Sequence, residues 1–490
     1  MTRKQLLLLL ALCAALRAVS LFRPCLSDDE ATYSVVGREM LHGRALYRDV
    51  VDHKPPLIYL VNEATQAIGG PIGGQVLLHL LLIVVVWGTG LVLGKIAARQ
   101  GTDPWLAALL YVVFTTTLVD TDSIAANCEL FMMLPLCASV YAFLRGGLAQ
   151  LALAGALVGC AMLFKYQAGI QLPLYAVALI VAQRNMPSKI IVGGLALAAG
   201  TALPIALAVV WLHAIHAWPW AWFWFRFNFS YIDAGGRLAM ARQMIVRVGF
   251  VAIAALPLYA CAVVAIRRQR RWFLLGWLAV SVLAVMVGGR FFGHYFHQIT
   301  APLAVIAAPA AERFRARTRA GFIAALAVPA AIFFALAAAH GPVMRAAGEP
   351  DPDYENVIAW LDDHGARSES LCIWGNSPVL YFEAQRPLGC RFVFANYLTG
   401  LSPATPSQTD PRTDSAKNVV PQAWDMLEAD LAERQPMFIV DGSPGNIGFY
   451  AKYPPEEFPR LAKILACRYR AAALVDGMRI YQRLVAPRCR

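Results

Sequence analysis

The sequence predicts a polytopic α-helical membrane protein with a C-terminal extracytoplasmic α/β domain. Three observations predict it. Hydrophobic residues make up 58% of the 490 residues and charged residues only 15%, with a mean hydropathy of +0.53; soluble proteins carry roughly 25% charged residues. The apolar residues gather in long runs. After residue 340 those runs stop, and charges and turn residues return. The first observation excludes disordered chains, fibrous chains and most soluble enzymes.

A helix crosses a bilayer with about 20 mainly apolar residues. Eleven candidate runs occur, at 5–22, 72–94, 104–119, 128–144, 148–164, 167–183, 190–212, 245–266, 272–288, 298–311 and 320–340. Threaded alternately, they put fifteen of the 43 basic residues on one side: Arg3, Lys4, Lys95, Arg99, Arg145, Arg184, Lys189, Arg267, Arg268, Arg270, Arg271, Arg313, Arg315, Arg317 and Arg319. The positive-inside rule makes that side the cytoplasm. Much of the net charge of +12 therefore marks topology, and nucleic acid is not an expected partner. Arg3 and Lys4 before an apolar run look like a signal peptide. The run reaches Phe22 without a good small-residue cleavage site, so a retained anchor is expected.

The outer side receives a long first loop (23–71), short loops near 120–127 and 289–297, an aromatic loop (213–244), and everything after residue 340. This divides the chain into a membrane domain (1–340) and an outer domain (341–490). In the outer domain, 353–364, 418–434 and 456–466 read as helices. Leu371 to Trp374, Arg391 to Phe394 and Met437 to Val440 read as strands, and 468–474 with 478–484 as a hairpin about Asp476-Gly477. Residues 401–417 are polar and Pro-rich, hence loop. Cys13, Cys128, Cys137, Cys160 and Cys261 lie in apolar runs as small hydrophobes. Cys372, Cys390, Cys467 and Cys489 lie outside, where disulfides can form. Proximity alone suggests Cys372 with Cys390 and Cys467 with Cys489; free thiols are the competing reading.

The first outer loop carries the chemistry-bearing residues. Residues 29–42 and 56–68 read as helices, the second led by Pro55 and Pro56. Asp28, Asp29 and Glu30 follow the first span. Crowded carboxylates at a membrane surface repel one another and rise in pKa, which suits a general base; acids at a helix start are the blander reading. Asp49, Asp52, His53 and Lys54 bunch before the prolines. A lysine there can hold a phosphate as a point charge or simply be solvated.

The loop pattern DE-x-x-Y, R-x-M-L-x-G, Y-R-D and H-K-P-P-L rests on Asp29, Glu30, Tyr33, Arg38, Met40, Leu41, Gly43, Tyr47, Asp49, Lys54, Pro55, Pro56 and Leu57. It resembles the polyprenyl-phosphate-sugar-dependent glycosyltransferases of the C-type fold, the group of protein O-mannosyltransferases and lipid A aminoarabinose transferases. Asn127-Cys128-Glu129 is similar to that family's second acidic site, and Gly159 to Lys165 with Gln167 to its basic membrane-edge motif. Arg290, His294, Tyr295, Gln298 and Pro302 are similar to its late outer loop. Ile373-Trp374-Gly375 and Tyr381-Phe382 look like an outer domain of bacterial members.

The resemblance implies inverting transfer of a sugar from a polyprenyl-phosphate donor to an acceptor hydroxyl at the outer face of the cytoplasmic membrane. The acceptor class stays open among lipid, polysaccharide and protein. Asp29 is the implied catalytic base, with Asp28 as alternate and Glu30 orienting the site. Lys54, Lys165, Arg290 and His294 are the implied donor-phosphate ligands, and Tyr33, Asp49, Glu129, Tyr295 and Gln298 the acceptor or auxiliary residues. A divalent metal is left open, with His53 and Glu129 as candidate ligands. Relatives with an acid directly before Lys-Pro-Pro differ here, where His53 stands. Individually, Lys165 reads as a snorkelling lysine and Arg290 as a headgroup anchor; their joint placement with Lys54 and His294 beside the motif-bearing loop favours a site, whereas for His53 a satisfied surface histidine is the stronger reading. The aromatic loop can line a lipid entrance, stack on sugars or form an interfacial belt. A transporter or flippase is the alternative class, and its inverted repeats and midplane polar residues are not seen.

Overall fold

The computed structural model describes residues 1–22, 25–118, 121–233, 237–339, 354–403, 405, 408, 410 and 412–489, without the side chains of 121, 230–233, 237–240 and 243. Asp120 and the junction between the two expected domains lie outside the described residues.

The chain is a multi-pass membrane protein, mostly helical. The apolar runs are helical, from Arg3–Leu16 to Arg319–Ala338, but 5–22, 167–183 and 245–266 are each divided between two helices. Leu57–Arg99, Cys128–Arg145, Pro187–Ala214 and Arg319–Ala338 are long and apolar enough to cross a membrane; others, such as Pro104–Thr116 and Trp272–Val287, are shorter apolar helices. On Pro187–Ala214 the large residues Ile191, Leu195, Leu203 and Leu207 face outward, as a lipid-facing surface requires.

Two breaks in the helices shape the bundle. The helix Leu57–Arg99 changes direction at Gly70, whose φ of 68° is followed by Pro71. Before the break lies the expected second loop helix; after it lies the first long span. A Cβ on Gly74 would stand 2.6 Å from the Gln66 Cα, so glycine is required where the chain doubles back. The expected single span 245–266 is instead two helices, Arg237–Ala254 and Leu256–Arg268, bent by 88°. Pro257 in the first turn of the second helix lacks the N–H that would continue the first.

The C-terminal unit holds a four-stranded sheet of β1 (Leu371–Trp374), β2 (Phe438–Asp441), β3 (Tyr469–Val475) and β4 (Met478–Arg483), in the order β1-β2-β4-β3. β1 and β2 are parallel and the other pairs antiparallel. Asp476 and Gly477 both have positive φ, 47° and 79°, the combination a two-residue hairpin needs. Helices Glu355–His364, Pro421–Glu433 and Pro459–Arg468 lie where the pattern put them. Arg391 to Phe394 is not a strand. It makes one bridge, Phe392 with Val51 of the first loop, because Cys390 is bonded to Cys372 and Arg391 is clamped by Asp430. Cys467 is bonded to Cys489.

Candidate active site

The first loop (23–71) folds, over its described residues, as a scaffold for a few side chains. Its helix Asp28–Leu41 starts at Ser27, whose Oγ accepts from the Glu30 N–H at 3.2 Å. All three acids occupy the first turn, where the helix dipole favours them. Their environments then diverge. Glu30 is fully buried. Its Oε1 accepts from Gln75 Nε2 at 2.6 Å and lies 2.6 Å from His79 Nε2. Its Oε2 accepts from the Ala126 and Leu26 N–H groups. With both oxygens engaged, Glu30 locks the helix to the first long span and cannot itself take a substrate proton. Asp28 is reached by water, yet the protein packed around it and the adjacent Asp29 carboxylate push it up to about 7. Asp29 stands half-buried between them.

Lys54 faces Asp29. Burial pulls its pKa down, but Asp29, Tyr295 and Asp52 more than reverse that and hold it well above the usual lysine value. A knot of bonds fixes its backbone. The Tyr47 hydroxyl donates to the Lys54 carbonyl at 2.6 Å, the Lys54 N–H donates to Tyr59 Oη at 3.3 Å, and that hydroxyl donates to Asp52 at 2.6 Å. The spacing Tyr47, Asp52, Lys54 and Tyr59 thus makes one cradle.

Three more segments bring charge to the same end. Glu129 opens the helix Cys128–Arg145 and forms a buried ion pair with Lys165. Lys165 Nζ also lies 3.5 Å from the Tyr295 ring centroid, a cation–π contact. His294 Nδ1 donates to Asp122 at 2.8 Å, and its Nε2 is 3.7 Å from Glu129. Burial would raise the Asp122 carboxyl, but the charge and bonds of His294 bring it to about 2. Burial would lower His294, and Asp122 and Glu129 raise it above the usual imidazole value instead. Tyr33 feels the charges of both Asp29 and Glu129. Asp29, Lys54, Glu129, Lys165, Asp122, His294, Tyr33 and Tyr295 therefore share one electrostatic neighbourhood of alternating sign.

Other expected site residues go elsewhere. Arg290 is buried and donates to Ser402 Oγ at 2.9 Å, linking the loop 289–297 to the C-terminal unit. Gln298 is buried in the helix His297–Arg317. Asp49 accepts from Arg48 and the Ala45 N–H, and its carbonyl accepts from Arg434, so it braces the loop against the C-terminal unit. His53 meets Asp52 and the Tyr397 hydroxyl, the latter at 3.1 Å. His53, Asp29 and Glu129 do not converge as a metal set: among the described residues, no group of three or more His, Cys, Asp or Glu is placed to share an ion. Arg38 donates to the carbonyls of Tyr381 and Arg386 and Arg44 to that of Leu388, so this part of the loop motif docks the C-terminal unit. The aromatic loop is a helix, Trp218–Asp233. Its Trp224 is fully buried and donates to the Tyr47 carbonyl, which makes it a clamp on the first loop, while Trp222 and Phe229 stay exposed.

Sequence reasoning missed Gln75, His79 and Arg17. Arg17 is fully buried and donates to the Ile124 carbonyl at 2.6 Å. The available signal was polar residues inside apolar runs, two of them four apart on one helix face.

No family model matches the sequence, and no curated protein does. Solved structures match across nearly the whole chain. ArnT from Cupriavidus metallidurans, bound to undecaprenyl phosphate, is 15% identical with a TM-score of 0.62 over 99% of each chain. The Archaeoglobus fulgidus oligosaccharyltransferase in its apo form is 14% identical, with a TM-score of 0.52 over 98% of this chain and 74% of its own. AglB from Archaeoglobus fulgidus, in complex with an inhibitory peptide and a dolichol-phosphate, is 12% identical, with a TM-score of 0.51 over the same shares, 98% and 74%. The fold is thus shared with these solved structures, and it is the C-type fold to which the first-loop motif pointed.

Proposed function

We propose that this chain is an inverting glycosyltransferase that moves a sugar from a polyprenyl-phosphate donor to an acceptor hydroxyl at the outer face of the cytoplasmic membrane. The observation that carries this reading is that Asp29, a half-buried carboxylate in the first turn of its helix, shares its surroundings with the cation Lys54 and the buried pair of Lys165 with Glu129. Asp29 takes the acceptor proton. The acceptor oxygen attacks the anomeric carbon as the bond from that carbon to the phosphate oxygen breaks. The electron pair leaves with the polyprenyl phosphate, whose growing charge Lys54 and Lys165 stabilise. A single displacement inverts the anomeric centre. His294, held by Asp122, lends a further positive charge. The fold shared with proteins solved on undecaprenyl phosphate and dolichol-phosphate supports a lipid-phosphate donor. The eleven-span threading supports an outward-facing site, since the basic groups it collects lie away from Asp29. Residues 1–340 then form the membrane domain and 341–490 an outer domain that closes on the first loop.

The test is release of polyprenyl phosphate by purified protein given undecaprenyl-phosphate sugars and a mixture of candidate acceptors. Asp29→Asn should lower turnover roughly 10²–10⁴-fold, the usual range for a general base, with the thermal midpoint unchanged. Full activity in that variant would remove Asp29 from the mechanism. No turnover of any donor, together with solute flux in vesicles, would support a transporter instead.

A further inference from the structure

The helical bundle has a second charged end, remote from Asp29. Arg99 donates to the Leu144 carbonyl, Lys95 lies over the Tyr141 ring, and Arg315 pairs with Asp103, so these helix termini share one face. The five chain segments 95–103, 145–150, 183–190, 267–272 and 312–319 contribute thirteen lysines and arginines to it but only two acids, Asp103 and Glu312. Asp103 is taken by Arg315. Glu312 precedes Arg313 on the same helix, about 100° round its surface.

Within this face a cavity opens where the helices Leu256–Arg268, Trp272–Val287 and His297–Arg317 meet. Arg268, Arg271 and Arg313 ring it, one from each helix or its N-cap. Its apolar wall includes Leu274, Val305 and Ile306, all buried. Arg271 donates to Gln269, while Arg268 and Arg313 meet no acid or acceptor among the described residues. The first turn of Trp272–Val287 has no side-chain cap and no acid, so its N–H groups add positive potential without making a site by themselves. Three guanidinium groups beside the partly exposed apolar side chains of Ile266, Leu275 and Pro309 match one kind of molecule in both halves: an anionic phosphate head joined to acyl chains. Guanidinium suits phosphate because it is planar, always charged and forked, and basic pockets between membrane helices are a recurrent headgroup setting.

We propose that this cavity is a binding site for an anionic phospholipid, separate from the sugar-transfer site. Its occupant bridges three helices, including the one that carries Gln298 toward the outer end.

Native mass spectrometry of the full chain, released from nanodiscs of equimolar phosphatidylglycerol and phosphatidylcholine, tests this directly. Wild type should retain phosphatidylglycerol at least tenfold over phosphatidylcholine. Arg268→Gln/Arg271→Gln/Arg313→Gln should lose at least tenfold of that preference. Arg145→Gln/Arg184→Gln/Arg319→Gln, which removes equal charge from the same face, should lose less than twofold. Equal loss in both triple variants would mean a diffuse surface potential and would overturn the site. No preference in wild type overturns it without recourse to any variant. Displacement of the lipid by millimolar inorganic phosphate would make it a soluble-anion site and overturn the lipid assignment.

Discussion

At one end of the bundle Lys165 is 6% exposed and paired with Glu129; at the other, Arg268 and Arg313 reach solvent and pair with no described acid. Each of the first end's cations, Lys54, Lys165 and His294, has an acid acting on it, and Arg290 is buried against Ser402. The second end spends almost no acids on its thirteen cations. Burial explains the difference. A charge taken out of water must be paired or it destabilises the fold, whereas an exposed arginine keeps its hydration. Pairing fixes position as well as energy, and the proposed phosphate site needs cations already in place. The exposed face needs only net charge.

The sharpest way to break this contrast is to unpair the buried end. Glu129→Gln leaves Lys165 charged and without its partner in a dry setting. It should cost about 3–5 kcal/mol, seen as a drop in the thermal midpoint by intrinsic fluorescence. Glu129→Gln/Lys165→Met removes both charges and should recover most of that loss while leaving turnover low. Equal destabilisation in single and double variants would show that the pair is not what holds the two helices.

The pair of Asp122 and His294 should be weaker and pH-dependent. Asp122 is lowered from its ordinary value to about 2, so its contribution is present above about pH 4 and fades as pH falls through 2. His294 is raised, so its contribution is complete below its unfolded value near 6.5 and fades as pH rises through the folded one. Stability from the pair is therefore greatest in mildly acidic buffer and declines on the alkaline side. His294→Gln should flatten the alkaline decline and cost about 1.5–3 kcal/mol below pH 6, the range for a hydrogen bond between charged groups. A wild-type stability profile already flat from pH 6 to 9 would refute the raised imidazole.

How much of this was legible in the sequence depended on range. The helix Asp28–Leu41 and the hairpin at Asp476-Gly477 are built from near neighbours, and spacing exposes them; the cradle of Tyr47, Asp52, Lys54 and Tyr59 is equally local, but its hydrogen bonds appear only in the structure. Glu30 was visible as an acid but not as a locked one, because Gln75, His79 and Ala126 meet it only through the fold. Arg391 to Phe394 has a strand's residues and no strand's partner, since the neighbouring edge is Val51 of the first loop. Pro257 was readable as a breaker, yet the 88° bend depends on what packs around it. His53 reads from sequence as a satisfied histidine or a ligand, and its contact with Tyr397, 344 residues away, is visible only in the fold.

The smallest expected effect tests the other side of the comparison. Arg145 ends the helix Cys128–Arg145 whose first turn holds Glu129, so the two residues sit at opposite tips of one element. If exposed basic residues act through net charge alone, Arg145→Gln should shift stability by no more than about 0.5 kcal/mol and leave polyprenyl-phosphate release unchanged, while Glu129→Gln at the other tip is strongly impaired. The same thermal scan and release assay read both variants. A tenfold fall in release for Arg145→Gln would mean that the helix carries a signal between its ends, and the division of labour between buried, paired cations and exposed ones would no longer hold.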